Sequence, residues 1–356
     1  MASGRSRAWL LVAVLVAAMA AVAAGCGDDG GTGGAPSTEA PTGPPVKAGL
    51  VSDIGKFNDR SFNQSALEGL QRAQTELGAE GSPVESKAAS DYVANLSQLA
   101  RAKADVTIAV GFLLADATND VARQFPDQQF AIVDYSTAAP PFTDAEKNVT
   151  APPNVRGLTF ATNENSYMIG YMAAKMAQAK GGKQVISAVG GLKIPTVTIF
   201  IAGYKAGAEA ANPDIEVQVD YSQDFVAQAK CKELALKQIE AGSQAIFQVA
   251  GGCGLGALDA AKGAGVWGIG VDRDQAFLGD HILTSAVKRV DTSVFDTIKD
   301  AQAGTLAGGD KLFSLANEGV ALGKINAKVP QELIDEVDGL KQQIIDGEIT
   351  PPSTLE

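Results

Sequence analysis

The chain has 356 residues, of which 46% are hydrophobic and 20% charged, and its formal net charge at pH 7 is −12. Such an acidic protein repels polyanions, so we expect no nucleic-acid partner. The length exceeds what most single hydrophobic cores reach and predicts two lobes.

The N-terminal segment has the pattern of a secretory signal. Arg5 and Arg7 precede an uninterrupted apolar run over residues 8–24, which is short for a stable transmembrane helix. The run ends in Ala-Ala-Gly-Cys, and small residues before Cys26 suit a signal peptidase. We expect residues 1–25 to be a signal peptide and Cys26 to carry a lipid. The alternative is an ordinary signal peptide followed by a coincidental cysteine.

A flexible tether is predicted to follow the signal. Residues 26–45 consist mostly of Gly, Pro, Ser, Thr and Asp after the cysteine, with almost nothing apolar to bury. No later apolar stretch is long enough to span a bilayer, so membrane contact is expected through the lipid or a protein partner. We therefore expect a lipid-anchored protein at the outer face of the cytoplasmic membrane.

Short β-branched runs alternate with longer amphipathic segments along the rest of the chain. This pattern predicts an α/β protein with two doubly wound, mostly parallel sheets. The predicted strands cover residues 47–51, 106–110, 131–133, 155–160, 185–189, 216–219, 245–249, 268–271 and 283–287. The predicted helices start near Ser61, Tyr92, Ala115, Asn165, Thr196, Asp224, Leu255, Thr292 and Gln331.

Four of the predicted strands are followed by a charged residue. These residues are Asp53, Asp134, Asp272 and Lys288. A single aspartate after a strand is most simply a helix cap or a surface turn. Ligands of doubly wound sheets, however, lie beyond the carboxyl ends of the strands, so four charged residues at such ends indicate a binding cleft.

Two cysteines remain once Cys26 is set aside. Export places Cys231 and Cys253 in an oxidising compartment, where two thiols of one chain tend to pair. The predicted helix around Cys231 turns this residue towards the sheet, and Cys253 follows the next strand. We predict a disulfide between them, with two buried free cysteines as the alternative.

A nicotinamide-dependent oxidoreductase is a rival interpretation from a different class. Gly252, Gly254 and Ala257 fit the spacing G-x-G-x-x-A between a strand and a helix, and Asp272 lies at the expected distance downstream. Against it, the motif lies late in an exported chain without a catalytic set, and the one histidine, His281, reads as a solvated turn residue. We expect no enzyme, no metal and no cofactor.

Six segments together resemble the basic membrane protein family of ABC-transporter substrate-binding lipoproteins, whose members include purine nucleoside receptors. They are VSDIGKFNDRSFNQSALEG at 51–69, NENSYMIGYMAAKM at 163–176, FIAGYKAGAEAANP at 200–213, FQVAGGCGLGALDAA at 247–261, GVDRDQ at 270–275 and TSAVKRVD at 284–291. The resemblance implies the type I periplasmic-binding-protein fold, with two lobes joined by a three-crossing hinge. Residues 46–160 and 286–316 would form the N-terminal lobe, and residues 161–285 and 317–350 the C-terminal lobe.

The resemblance also implies a set of ligand contacts. They are Asp53, Phe62, Asn63 and Asp134 from the first lobe, with Phe200, Gly251, Asp272 and Lys288 from the second lobe and the hinge. Aromatic faces stack on a base, and carboxylates accept hydrogen bonds from ribose hydroxyls and purine N–H groups. Phe57 competes with Phe62 for the aromatic position.

The implied function is solute capture for an ABC importer. The expected partners are a small-molecule solute, by resemblance a purine nucleoside, and the subunits of an ABC permease; we expect a monomer. Another furanose-containing solute is an alternative, and a sensor or adhesin without transport would carry the same sequence pattern.

Overall fold

Two six-stranded sheets form the framework of the computed structural model, which describes residues 45–355. The expected signal peptide, the lipidated Cys26 and nearly all of the tether lie outside the described residues. The first sheet has the strand order β2-β1-β3-β4-β5-β11, and all its neighbouring strands are parallel. Its strands are β1 (Lys47–Ser52), β2 (Glu80–Val84), β3 (Val106–Val110), β4 (Gln129–Val133), β5 (Val155–Phe160) and β11 (Gly309–Phe313).

The second sheet has the order β7-β6-β8-β9-β10-β12, and only β12 runs antiparallel to its neighbour. Its strands are β6 (Val185–Gly190), β7 (Glu216–Tyr221), β8 (Ala245–Val249), β9 (Trp267–Asp272), β10 (Ile282–Lys288) and β12 (Val320–Leu322). We call the two sheets with their helices the first and the second lobe.

Nine α-helices flank the sheets within residues 45–355. They are α1 (Phe62–Leu77), α2 (Tyr92–Arg101), α3 (Ala115–Gln124), α4 (Thr162–Lys180), α5 (Pro195–Ala211), α6 (Gln228–Ala241), α7 (Gly251–Ala264), α8 (Val290–Gln302) and α9 (Gln331–Ile345). In this part of the chain no helix is both long and apolar enough to cross a membrane.

The central strands are buried on both faces, as parallel strands covered by helices must be. All five residues of β3 and all five of β8 are buried, which explains why their sequences are apolar apart from Thr107 and Gln248. The sequence did not predict β2, β11 or β12, which lie at sheet edges and lack such runs. An edge strand buries less side-chain surface, so its sequence carries a weaker pattern.

The chain passes between the lobes three times. The passages follow β5, β10 and β11, at Phe160, Lys288 and Phe313. The boundary predicted between residues 285 and 286 thus falls inside β10. At the hinge, the side-chain amide of Asn165 donates to the carbonyl groups of Val287 and Ala321, at 2.9 Å each, which ties the start of α4 to two strands.

Cys231 and Cys253 form a disulfide, with 5.6 Å between their Cα atoms. Both are fully buried and join α6 to the first turn of α7. The backbone N–H of Cys253 also donates to the carbonyl of Phe225, at 2.9 Å. The crosslink therefore holds the loop between β7 and α6 against the start of α7.

Candidate ligand-binding site

A cleft lies between the lobes at the carboxyl ends of the strands. It contains about 610 Å³ of empty space, including the part open to solvent. The structure places all eight residues of the predicted ligand set in its lining: Asp53, Phe62, Asn63, Asp134, Phe200, Gly251, Asp272 and Lys288.

On the first lobe, Asn63 joins two carboxylates. Its side-chain NH₂ donates to Asp53 Oδ1 at 2.8 Å and to Asp59 Oδ2 at 3.1 Å. These two bonds fix the orientation of the amide. The other end of the amide, Asn63 Oδ1, is buried without a hydrogen-bond partner among the described residues. A buried acceptor of this kind costs free energy as long as it is unsatisfied.

Asp53 presents a second unpaired acceptor. Its Oδ1 accepts from Asn63 and from the backbone N–H of Gly55, at 2.7 Å, whereas no residue in 45–355 donates to Oδ2. Oδ2 faces Gly111, where a Cβ atom would lie 3.3 Å away. Burial raises the pKa of Asp53 to about 6, although the bonds from Gly55 and Asn63 oppose the shift.

Asp134 and Asp272 occupy equivalent positions on the two lobes. Asp134 follows β4, Asp272 ends β9, and both have left-handed backbones, with φ of 64° and 65°. Lys288 lies between them, with Nζ 2.7 Å from Asp134 Oδ2 and 3.3 Å from Asp272 Oδ1. Burial by itself would lower the pKa of Lys288, but the two carboxylates raise it, so the side chain stays charged.

Phe62 and Phe200 approach Lys288 from the two lobes. The Lys288 ammonium lies 4.4 Å from the centre of the Phe62 ring and 5.4 Å from that of Phe200, both within cation–π range. Phe62 is partly exposed, but Phe200 is only 2% exposed and packs edge-on against Phe247. Phe57, the competing aromatic, packs in the hydrophobic core instead.

Among the cleft-lining residues that the sequence did not reveal are Asp59, Phe112 and Phe225. Asp59 accepts from the backbone N–H groups of Ser61, Asn63 and Gln64, at 2.9–3.1 Å, so its carboxylate caps α1 while lining the cleft. An Asp just before a helix start was available as a sequence pattern. Phe112 begins a short 3-10 helix after β3 and Phe225 lies in a loop, and neither position carries such a pattern.

Phe225 is a partly exposed ring on the second lobe. It packs over Gly191, where a Cβ atom would lie 2.2 Å from the ring, and beside Gly251. Its loop is the one held by the disulfide and by the Cys253 N–H bond. Only glycine leaves this ring the room it occupies.

The glycines that suggested a dinucleotide site lie inside α7 rather than in a loop before it. A Cβ at Gly254 would come within 1.8 Å of Gln248 Oε1, and one at Gly256 within 2.0 Å of the carbonyl of Gln228. These glycines are needed for close packing of α7 on β8 and α6. Close packing therefore accounts for Gly254 of the motif and for the neighbouring Gly256, whereas a Cβ at Gly252 would meet nothing nearer than 3.4 Å.

The chain was compared with known proteins. Residues 46–354 match the model of the Bmp family, described as ABC transporter substrate-binding protein PnrA-like. The chain is 36% identical to the ABC transporter nucleoside-binding protein BmpA of Lactococcus lactis subsp. cremoris, over 97% of this chain and 98% of that protein. It is 35% identical to basic membrane protein A of Borreliella burgdorferi, over 87% and 88%.

Solved structures give the same result. An ABC transporter solute-binding protein from Aeropyrum pernix K1 superimposes with a TM-score of 0.77 at 25% identity, covering 86% of this chain and 94% of that one. Another, from Conexibacter woesei, gives a TM-score of 0.69 at 27% identity, with coverage of 87% and 100%. The predicted α/β fold with two lobes is confirmed. The chain belongs to the Bmp family of PnrA-like ABC transporter substrate-binding proteins.

Proposed function

We propose that this substrate-binding protein captures a nucleoside, most favourably a purine nucleoside, in the cleft between its lobes. The observation that carries the proposal is Asp53 Oδ2, an acceptor to which no described residue donates, next to the partly exposed ring of Phe62. A ligand that fits must be planar and aromatic on one side and rich in hydrogen-bond donors at its edges. Nucleosides combine both properties.

The charges of the cleft argue against phosphorylated ligands. Four carboxylates line it, those of Asp53, Asp59, Asp134 and Asp272, and one cation, Lys288, is already paired with two of them. A phosphate would enter a negative field with no free cation of the lining to receive it. We therefore propose a nucleoside rather than a nucleotide.

The proposed roles follow from position. Asp272 anchors the ribose hydroxyls, since each carboxylate oxygen can accept more than the one bond it has now. Asp53, Asn63 and Asp134 read the polar edge of the base. Phe62 stacks on one face of the base, Phe225 faces it from the second lobe, and Phe200 lines the cleft while packing mainly against Phe247. The Lactococcus lactis relative is named a nucleoside-binding protein, which supports this class of solute.

The solute can be identified without choosing a candidate in advance. Protein purified from cells under native conditions is denatured, and the released small molecules are analysed by mass spectrometry. We expect a nucleoside in wild-type protein and much less of it in Asp272→Ala. A released sugar or peptide, with no nucleoside, would contradict the proposal.

We further propose that the protein is anchored through a lipid on Cys26 and works outside the cytoplasmic membrane. The Ala-Ala-Gly-Cys sequence after an apolar run supports this. Wild-type protein should take up a radiolabelled fatty acid and partition into the membrane fraction, and Cys26→Ala should do neither. If Cys26→Ala remained in the membranes and was cleaved at the same bond, the anchor would be wrong.

A further inference from the structure

Direct hydrogen bonds between protein groups join one segment of the first lobe to one segment of the second lobe across the cleft. Ser61, at the start of α1 on the first lobe, donates its hydroxyl proton to Asp272 Oδ2 on the second lobe, at 2.6 Å. The side-chain NH₂ of Gln275 donates in the opposite direction, to the carbonyl of Arg60, at 3.1 Å. We call these four residues the lobe latch: Arg60, Ser61, Asp272 and Gln275.

The second-lobe side of the latch is held rigidly. Gln275 is fully buried, and its Oε1 accepts from the side chain of Gln248 at 2.8 Å and from the backbone N–H of Val271 at 3.2 Å. Its own backbone N–H donates to Ser285 Oγ at 3.0 Å. These bonds settle which end of the amide is the donor and direct it at Arg60. A donor positioned before its acceptor arrives loses little entropy when the bond forms.

The first-lobe residues of the latch are also held in position before the lobes meet. Arg60 has a left-handed backbone, with φ of 55°, and the N–H of Ser61 is bound by Asp59. Farther out, an ion pair between Glu68 and Arg273, at 2.9 Å, spans the same two segments at the protein surface. The same two segments are thus joined by one buried hydrogen bond, one partly buried hydrogen bond and a partly exposed ion pair.

We propose that the lobe latch stabilises the closed conformation, with or without solute, and that Ser61 and Gln275 act as positioning residues that set how long a solute stays bound. The latch uses only protein groups, so it forms whenever the lobes meet. Its bond to Asp272 also orients the carboxylate whose other oxygen faces Lys288. Closure and solute anchoring therefore share one side chain.

Ser61→Ala removes the central bond, and Ser65→Ala is its matched control. Ser65 lies one turn farther along α1 and is also buried, but its hydroxyl accepts from the N–H of Asp291 in α8, away from the latch. Small-angle scattering of solute-free proteins should give a larger radius of gyration for Ser61→Ala than for wild type and Ser65→Ala. Equal radii for all three would overturn the latch.

The ion pair between Glu68 and Arg273, which we call the rim pair, gives a second test that leaves the four latch residues unchanged. Glu68→Gln and Arg273→Gln, singly and together, form a double-mutant cycle for the dissociation rate of adenosine, measured by stopped-flow fluorescence. This arm rests on the proposed function, because adenosine is the probe. We expect Ser61→Ala to release adenosine about tenfold faster or more, and the rim pair to show a coupling of about two- to fivefold that declines with salt.

The two proposals fail separately. If wild-type protein bound no nucleoside, the proposed function would be wrong and the scattering comparison would still decide the latch. Suppose instead that adenosine binds, that it dissociates from Ser61→Ala and Ser65→Ala at the same rate, and that Glu68 and Arg273 show no coupling. The latch would then be wrong and the proposed function would stand.

Discussion

Lys288 Nζ lies 2.7 Å from Asp134 Oδ2, so a lysine at the end of a second-lobe strand is paired with a carboxylate at the end of a first-lobe strand. Lys288 is buried, the Asp134 side chain is only 12% exposed, and Asp272 provides a second carboxylate at 3.3 Å. Buried charges are tolerated only when they are paired. The pair therefore ties the two lobes together at the floor of the cleft.

Replacing Lys288 with Met should destabilise the protein strongly. The change leaves the buried Asp272 and the largely buried Asp134 without their cation, and the loss of one partner of a buried pair typically costs about 3–5 kcal/mol. Urea unfolding followed by circular dichroism measures the free energy. Lys311→Met is the control, because Lys311 makes partly exposed pairs with Asp296 and Asp300 that are worth about 0–1 kcal/mol. Equal losses in both variants would contradict the role of Lys288.

Nucleoside affinity should fall as the pH drops from 7 to 5. Burial raises the pKa of Asp53 to about 6, so below that pH its Oδ2 gains a proton and becomes a donor where an acceptor is needed. Affinity should then fall by up to about tenfold per pH unit. Calorimetry across the range measures it, and Asp53→Asn should bind more weakly at pH 7 but without this pH dependence.

Acid unfolding does not account for that change. Because the pKa of Asp53 is raised on folding from 3.8 to about 6, the folded protein takes up a proton that the unfolded chain does not between these values, and this group adds stability as the pH falls. A loss of affinity through unfolding would appear in the circular dichroism signal, and it would persist in Asp53→Asn.

Phe200→Ala should mainly lower the stability of the protein, whereas Phe225→Ala should mainly lower its affinity for a nucleoside. Phe200 is nearly fully buried against Phe247, so its truncation should cost about 3–5 kcal/mol of stability. Phe225 is partly exposed in the cleft, so its truncation should cost about 1–3 kcal/mol of nucleoside affinity and little stability. Unfolding and calorimetry on both variants measure the two effects. If Phe200→Ala lost as much nucleoside affinity as Phe225→Ala and kept its stability, this division of roles would be wrong.

Removal of the disulfide should lower stability by about 2–4 kcal/mol, since the crosslink closes a loop between residues separated by 22 positions. The double variant Cys231→Ala/Cys253→Ala tests this by urea unfolding. Alkylation of denatured, unreduced wild-type protein provides the check: intact mass should show no modified thiol at either position. Two alkylated cysteines would rule out the bridge.

The central strands and the residues after them could be predicted because burial on both faces leaves a continuous apolar run that ends at a polar residue. That change points to Asp53, Asp134 and Asp272, and the family resemblance supplies their place among the expected ligand contacts. Edge strands such as β2 and β11 were missed, since half-exposed strands need no such run.

The sequence could not reveal contacts between distant segments. Phe225 lies in a loop, and its place in the cleft depends on Gly191 and on the disulfide. The Ser61–Asp272 bond joins residues 211 positions apart and depends on how the lobes meet. Asp59 is a different case, because its helix-capping position was readable but its exposure to the cleft was not.

Calorimetry on solute-free protein with adenosine, guanosine, inosine, uridine, ribose and adenosine monophosphate tests the central claim most directly. The account predicts that purine nucleosides bind most tightly, that ribose binds more weakly because it cannot stack, and that the monophosphate is rejected by the carboxylates. It also predicts that Asp272→Ala weakens nucleoside binding by about tenfold to a hundredfold. Ribose or the monophosphate binding as tightly as adenosine, or no binding of any nucleoside, would contradict it.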